Sequence, residues 1–383
     1  MPSASTNTAP AAAGSGAGAG AVRDAVGQAV DGVRDPGLVL IFPTADIPAA
    51  GTEAVAAADG CPVVGMTASA SFAQSGALAS GCAAMAFDAS QPIGWGLGEN
   101  ASRGLSAAAQ GATAAALADV PAELPYRLVT LLADPASGDQ ADVVAGAYRA
   151  AGPRVPLVGG GAGGAMPALY AGDRRLRDCV LAVAVGSERP IGVGIADGCR
   201  AVGVPSIVTR AEGRVLLELD GRPAEEVYRE KLARWGSPRT NGEFERFAVL
   251  HPLAQPELSG TRRLRHVLGR APGAGLYCAT SLPPHAAVEF TTQDPDLIVR
   301  SAWEAVSAAL EPLGDAPPAA ALVFDCAGRK RALGDQLARE AATIRSSFGE
   351  PPAIAGGYTH GEIARVFGAK GDRNHALVVV ALA

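Results

Sequence analysis

The stretch ALVFDCAGRKRALGD, Ala321 to Asp335, read together with PPAIAGGYTHGE, Pro351 to Glu362, decides the fold. The segment opens on a short β-rich run, and Cys326-Ala327-Gly328-Arg329 is where such a strand must stop. Leu333, Leu337, Ala341, Ile344 and Phe348 then recur every three or four residues, which predicts a helix with one apolar face. Gly349 supplies a C-cap, two prolines follow, and a second apolar run leads into Gly356-Gly357. Strand, helix, strand, with apolar strands on both sides, is the sequence form of a parallel α/β unit.

The arrangement occurs twice more. One copy runs from LVLIFPTAD (Leu38 to Asp46) to CPVVGMTASASF (Cys61 to Phe72), another from RLVTLLADPASGD (Arg127 to Asp139) to VPLVGGGAGGAM (Val155 to Met166). The expected fold class is therefore α/β (mixed α/β), built of repeated strand–helix–strand units. Ligands of such units gather at the carboxyl ends of strands, where the Gly-rich ends of the second strands would lie. Tight turns alone would give the same glycines. Between the copies, CVLAVAVGSERPIGVGI (Cys179 to Ile195) reads as strands joined by a Ser-Glu-Arg-Pro turn. Further on, Asp220-Gly221 makes a turn and Pro223 opens a helix. A boundary is placed near residue 215, giving domains 21–215 and 216–383 behind a 1–20 tail whose Ala/Gly/Ser-rich composition predicts disorder.

Composition excludes several classes. No stretch of 18 uninterrupted apolar residues could span a bilayer, and Met1 to Gly20 has no basic residue and no leucine-type core of a secretory signal. Six scattered cysteines without Cys-x-x-Cys fit free thiols in a reducing cytoplasm. Net charge is −6, and the one basic block, Arg262-Arg263-Leu264-Arg265 with His266 beside it, reads as solvated, so nucleic-acid binding is unsupported.

ELDGRPAEEVY (Glu218 to Tyr228), LVFDCAGRKRALG (Leu322 to Gly334), GGYTHGEIA (Gly356 to Ala364) and the closing NHALVVVALA resemble the FIST family. DPGLVLIF, PVVGMTASASF, PLVGGGAGGAM and ERPIGVGI resemble its N-terminal half, in the right order. The resemblance covers the chain from about Val22 onward. It implies a FIST N-terminal and a FIST C-terminal domain forming a cytoplasmic sensory module. Such a module binds a small polar, amino-acid-like ligand without catalysis and reports to a signalling partner. Some relatives bind haem and respond to nitric oxide through partner histidine kinases. No kinase, receiver or DNA-binding segment follows here, so output is expected through a separate protein such as a histidine kinase. Two departures stand out. Family members usually close with a His-Asn-Gln-Thr-like sequence where this chain has Arg373-Asn374-His375-Ala376. The first Gly-rich turn, Met66 to Ala70, lacks an acidic residue.

The chemistry centres on the third unit. Arg329, after a strand end, can grip a carboxylate with two parallel hydrogen bonds. Tyr358 and Thr359 offer hydroxyls, and Glu362 a charge for an ammonium group. With Cys326, Gly356, Gly357, Gly159 and Gly160 these form the expected ligand site for a zwitterion, unless Arg329 and Glu362 pair with each other. Cys326 is also the candidate nucleophile of an enzyme alternative, with His360 or His375 as base. The same two histidines are the axial candidates of a haem alternative. No metal is expected, since His-Glu-x-x-His is absent and His360-Gly361-Glu362 lacks the Pro-Cys-x-x-Cys of zinc deaminases. Walker A and Gly-x-Ser-x-Gly are absent too. Gly159 to Gly164 satisfies Gly-x-Gly-x-x-Gly, but no helix is expected after it.

Overall fold

Each of the three strand–helix–strand units closes as a parallel strand pair in the computed structural model, which describes residues 10–257 and 261–383. Pro36–Pro43 pairs with Val63–Met66, Tyr126–Ala133 with Leu157–Gly161, and Ala320–Cys326 with Ala353–Thr359. The crossovers are helical, over Ala50–Ala57, Gln140–Ala151 and, in the third unit, Ala327–Leu333 plus Leu337–Ser347. The apolar stripe that predicted one helix from Leu333 to Phe348 is thus split. Gly334, with a φ of 52°, turns the chain through a 3-10 segment between the two helices. Gly349, with a φ of 72°, follows the helix end as expected.

Each parallel pair sits at the middle of a six-stranded mixed sheet, and the strand order repeats. Beside the first strand of each pair lies an antiparallel strand: Cys82–Asp88, Cys179–Ser187 or Leu377–Leu382. Beyond it lies a further strand: Ala11–Gly16, Ile93–Glu99 or Ile191–Ala196. The other side of each pair is filled by a hairpin donated by a different unit. Ser71–Ala73 with Gly76–Leu78, from the first unit, joins the third sheet. Leu169–Ala171 with Arg174–Leu176, from the second, joins the first sheet. Glu362–Arg365 with Asp372–Arg373, from the third, joins the second sheet. The exchange is cyclic.

Burial follows from this. Phe42, Leu132, Phe324 and Val378, drawn from all three sheets, share one core. Helices cover the opposite faces, Val22 and Ala54 on the first sheet, Ala112 and Val144 on the second, Ala305 and Ile344 on the third. Strands buried on both faces read as continuous apolar runs, which is why the units were visible in the sequence.

The three Gly-rich strand ends meet at one hub. The Ser69 N–H donates to the Tyr358 carbonyl, His360 to Gly161, and Gly163 to Thr67, at 2.7–2.9 Å. Equivalent glycines precede these turns. A Cβ on Gly65, Gly159 or Gly356 would stand about 2 Å from the carbonyl oxygen of Ile41, Leu131 or Val323 in the neighbouring parallel strand. Gly356→Ala is expected to destabilise the protein by roughly 1–3 kcal/mol through overpacking, read as a lower urea midpoint. An unchanged midpoint would refute this packing role.

A fourth, antiparallel sheet spans Arg200–Glu212 to Ala287–Thr292. It is inserted between strand Ile191–Ala196 and helix Pro295–Leu310 of the third unit and has its own core, including Val208, Leu216, Phe244 and Phe290. Asp220-Gly221 makes a two-residue hairpin turn, joining Leu219 to Arg222. The 215 position opens strand Val215–Leu219, just past the two-residue turn from Arg200–Glu212, and the two strands pair antiparallel. Strands on either side of it share two of the six-stranded sheets. The expected 1–20 tail is partly structured: Ala11–Gly16 is a strand against Cys82–Asp88, and residues 1–9 lie outside the described residues. Small residues there pack under helix Ala21–Asp31, so alanine and glycine served close packing rather than disorder. The two strands of Cys179 to Ile195 exist, joined by the short connection expected, and they enter different sheets.

Candidate functional site

A cavity of about 300 Å³ opens where the carboxyl ends of strands Tyr126–Ala133, Ala320–Cys326 and Ala353–Thr359 come together under the inserted sheet. Gln140 comes from the second unit, Cys326, Gly328 and Arg331 from the third crossover, and Thr359, His360 and Gly361 from the third Gly-rich turn. Arg214, His266 and Thr280 come from the inserted sheet and Asn374 from the last hairpin. The position is the one expected of a ligand site in an α/β protein. A larger groove of about 860 Å³ lies by Phe367, but its Arg262, Arg263 and Arg373 are already paired with Asp197, Glu257 or Asp372.

Of the residues expected from the sequence, Cys326, Thr359 and His360 line this cavity. Arg329 does not. Its guanidinium is fully buried, with Nε on Asp325 Oδ1 at 2.9 Å and Nη2 on Glu340 Oε1 at 2.6 Å. The remaining donors reach the Asp197 carbonyl, Ser301 Oγ and the Ile298 carbonyl, so all five N–H groups are used. Neither a ligand carboxylate nor Glu362 can take a place on it. Burial and the Glu340 charge hold the Asp325 carboxyl well above the usual range, so Asp325 keeps its proton and one negative charge faces Arg329. Tyr358 belongs to this buried cluster, its hydroxyl 3.4 Å from Glu340 Oε2. Alternation along the strand sends Tyr358 and Thr359 to opposite faces.

Glu362 lies one layer behind the cavity wall, fully buried. Thr359 Oγ1 is 2.9 Å from Oε1, and the Ala376 N–H donates to Oε2 at 3.2 Å. Burial pushes the Glu362 carboxyl up to about 8. It is a structural acid here, with no open face for an ammonium group. Gly356 and Gly357 are likewise walled in, Gly357 against the Ala68 methyl. Gly159 presses on Leu131, and Gly160 on Thr359 and Gly361. These four glycines serve strand packing, which corrects their reading as ligand-facing backbone. No helix follows Gly159 to Gly164; the next element is strand Leu169–Ala171.

Cys326 is buried, and burial with the nearby Glu362 charge pushes its thiol far up, away from a reactive thiolate. Among the described residues no hydrogen bond joins it to the imidazole of His360 or His375; what His375 offers the thiol is its backbone. His360 is exposed at the cavity mouth, with Nε2 3.3 Å from Ser69 Oγ. His375 is fully buried, with Nδ1 3.0 Å from Gln293 Nε2 and Nε2 2.7 Å from His266 Nδ1.

The sequence did not point to Gln140, Arg214, His266, Arg331 or Asn374. The basic block beside His266 is not solvated as expected: Arg263 and Arg265 are buried against Asp372 at 2.7 and 2.8 Å. That pairing carries His266 inward. Arg214 and Arg331 are exposed at the cavity rim and, among the described residues, have no ion-pair or hydrogen-bonding side-chain partner. Arg331, two residues beyond Arg329, could have been found from helical register, since the two point to different sides.

Comparison with known proteins agrees with the resemblance. The FIST N domain matches residues 37–222 and the FIST C domain residues 224–365. An uncharacterised protein of Mycobacterium tuberculosis is 32% identical over 212 residues, covering 51% of this chain and 54% of the relative. An uncharacterised protein of Mycobacterium bovis is also 32% identical over 212 residues, covering 51% and 53%. The matched region spans about half the length of these relatives. No helix among the described residues is long and apolar enough to cross a membrane.

Proposed function

Since the chain belongs to the FIST family, whose domains are associated with sensory, small-ligand-binding signalling proteins, we propose that the 300 Å³ cavity is its sensory site. The ligand is a small polar metabolite carrying a carboxylate. One observation carries this reading: two guanidiniums without partners among the described residues, Arg214 and Arg331, line a cavity at the carboxyl ends of parallel strands. Guanidinium is the side chain best matched to a carboxylate. An amino-acid-like ligand meets this site at its carboxylate end, through Arg331 and Arg214 rather than Arg329. The family is regarded as non-catalytic, and the protonated Cys326 thiol supports the same reading here. Free thiols at all six cysteines suit a cytoplasmic protein. Its output passes to a separate signalling protein, such as a histidine kinase.

Haem does not fit the residues present. Both ring nitrogens of His375 are engaged, His360 has its Nε2 on Ser69 Oγ, and two guanidiniums beside Pro135, Leu268 and Ala327 favour a small anion over a haem.

The test is a thermal-shift panel of amino acids, small carboxylic acids, nucleotides and hemin, run beside Ala327→Phe, which fills the cavity. A ligand at a hundredfold over its Kd adds about 2.7 kcal/mol. A shift with a carboxylate-bearing compound that disappears in Ala327→Phe is the expected result. A shift that survives this variant, or one confined to hemin, would overturn the reading.

A further inference from the structure

Taking the cavity as the ligand site, we infer that its ligand is a small dianion of the dicarboxylate class, recognised through oxygen acceptors alone and carrying no ammonium group. The inference rests on the proposed function above and departs from a zwitterion.

The first observation is the charge of the lining. Arg214 and Arg331 are the charged groups among its described residues, and no Asp or Glu reaches it. Polar neighbours are spent internally. Gln140 Nε2 donates to the His360 and Gly361 carbonyls, and Thr280 Oγ1 to Asn374 Oδ1, which also receives the His266 N–H. The unpartnered acceptor Gln140 Oε1 is sealed from solvent, pressed toward Gly361. A ligand ammonium would meet two guanidiniums and no reachable carboxylate, leaving a charge unpaired.

The second observation fixes the tautomer of His266, which lines the space together with His360 at its mouth. The Val249 carbonyl can only accept, so the Gln293 atom 2.6 Å from it is the amide nitrogen, and the Cys199 thiol lies 3.4 Å from the amide oxygen. The same nitrogen donates to His375 Nδ1, so the His375 proton is on Nε2. It donates in turn to His266 Nδ1, which leaves the His266 proton on Nε2. Among the described residues that Nε2–H has no partner, and His266 lines the cavity. Burial pushes His266 down to about 4 and His375 well below the usual imidazole value, so both rings are neutral near pH 7. The left-handed backbone of His375, with a φ of 50°, aims its ring at this chain, an uncommon conformation outside glycine. The cavity therefore presents an uncharged donor together with two cations, a setting that an oxygen acceptor satisfies and an N–H group does not.

Isothermal titration of the full chain with glutarate, 2-oxoglutarate, glutamate and glycerol phosphate tests the inference. At least one dicarboxylate is expected to bind tenfold or more tightly than glutamate. Arg331→Gln, Arg214→Gln and His266→Phe, each checked for an unchanged melting curve, are each expected to weaken it at least tenfold. Glutamate binding as tightly as glutarate, with the same losses in the variants, would overturn the dianion and leave the cavity standing. Tighter binding of glycerol phosphate would replace the dicarboxylate class with a phosphate monoester. Silence of every probe up to roughly 1 mM, about −4 kcal/mol, would overturn the dicarboxylate as well. Any probe whose binding survives Ala327→Phe would overturn the cavity reading itself.

Discussion

Arg329→Ala is expected to lose roughly 3–5 kcal/mol of stability and to leave whatever protein remains folded still able to bind its ligand. The side chain ties four elements together: strand Ala320–Cys326 through Asp325, helix Leu337–Ser347 through Glu340, helix Pro295–Leu310 through Ser301 and Ile298, and the segment after Ile191–Ala196 through Asp197. Removing it strands a buried Glu340 charge and takes a donor from four further acceptors. Asp325→Asn is the control. Burial and Glu340 push the Asp325 carboxyl up toward its neutral form, and its buried Oδ2 has no hydrogen-bond partner among the described residues, so an amide can take the same place, at a cost within about 1 kcal/mol. Urea midpoints of the two variants decide the matter. A normally stable Arg329→Ala that fails to bind would restore Arg329 as a ligand residue.

The signal for that structural role was in the sequence. Glu340 falls three residues after Leu337 and four before Ile344, on the apolar stripe itself, and a buried carboxylate demands a cation. Arg329, four residues after Asp325, was the available one. The threefold recurrence was legible for a simpler reason, since strands covered on both faces carry unbroken apolar runs. The exchanged hairpins were not. Ser71–Ala73 and Leu169–Ala171 are three residues long, too short to show any period. The cavity divides along the same line. Cys326, Thr359 and His360 sit at predicted strand ends. Arg214 and His266 arrive from an inserted sheet whose placement depends on partners such as Asp372, more than a hundred residues from Arg263 and Arg265. No local pattern encodes such a contact.

Glu362→Gln is expected to flatten the pH dependence of stability, with its advantage over the parent growing from pH 5 to pH 8. The parent carboxyl is raised from 4.5 to about 8 on folding. Below the lower value both states are protonated and the folded state keeps its full advantage. Between the two values the unfolded chain ionises while the folded one does not, so stability falls as pH rises, by at most about 1.4 kcal/mol per unit. Summed over the window the loss is on the order of 3–5 kcal/mol. Glutamine fits without rearrangement. Its nitrogen can donate to Thr359 Oγ1, which donates onward to the Asp325 carbonyl, while its oxygen accepts from the Ala376 N–H. The titratable groups facing Glu362 are Arg329, whose charge favours its ionisation, and Asp325, which shares the upward shift; Cys326 adds a weak donor. His266 and His375 shift the other way and lose stability as pH falls, but they are common to both proteins and cancel in the difference. Urea midpoints at half-unit intervals suffice. Parallel profiles would mean that Glu362 is already ionised in the folded protein, and that a cation compensates it from a direction this structure does not provide.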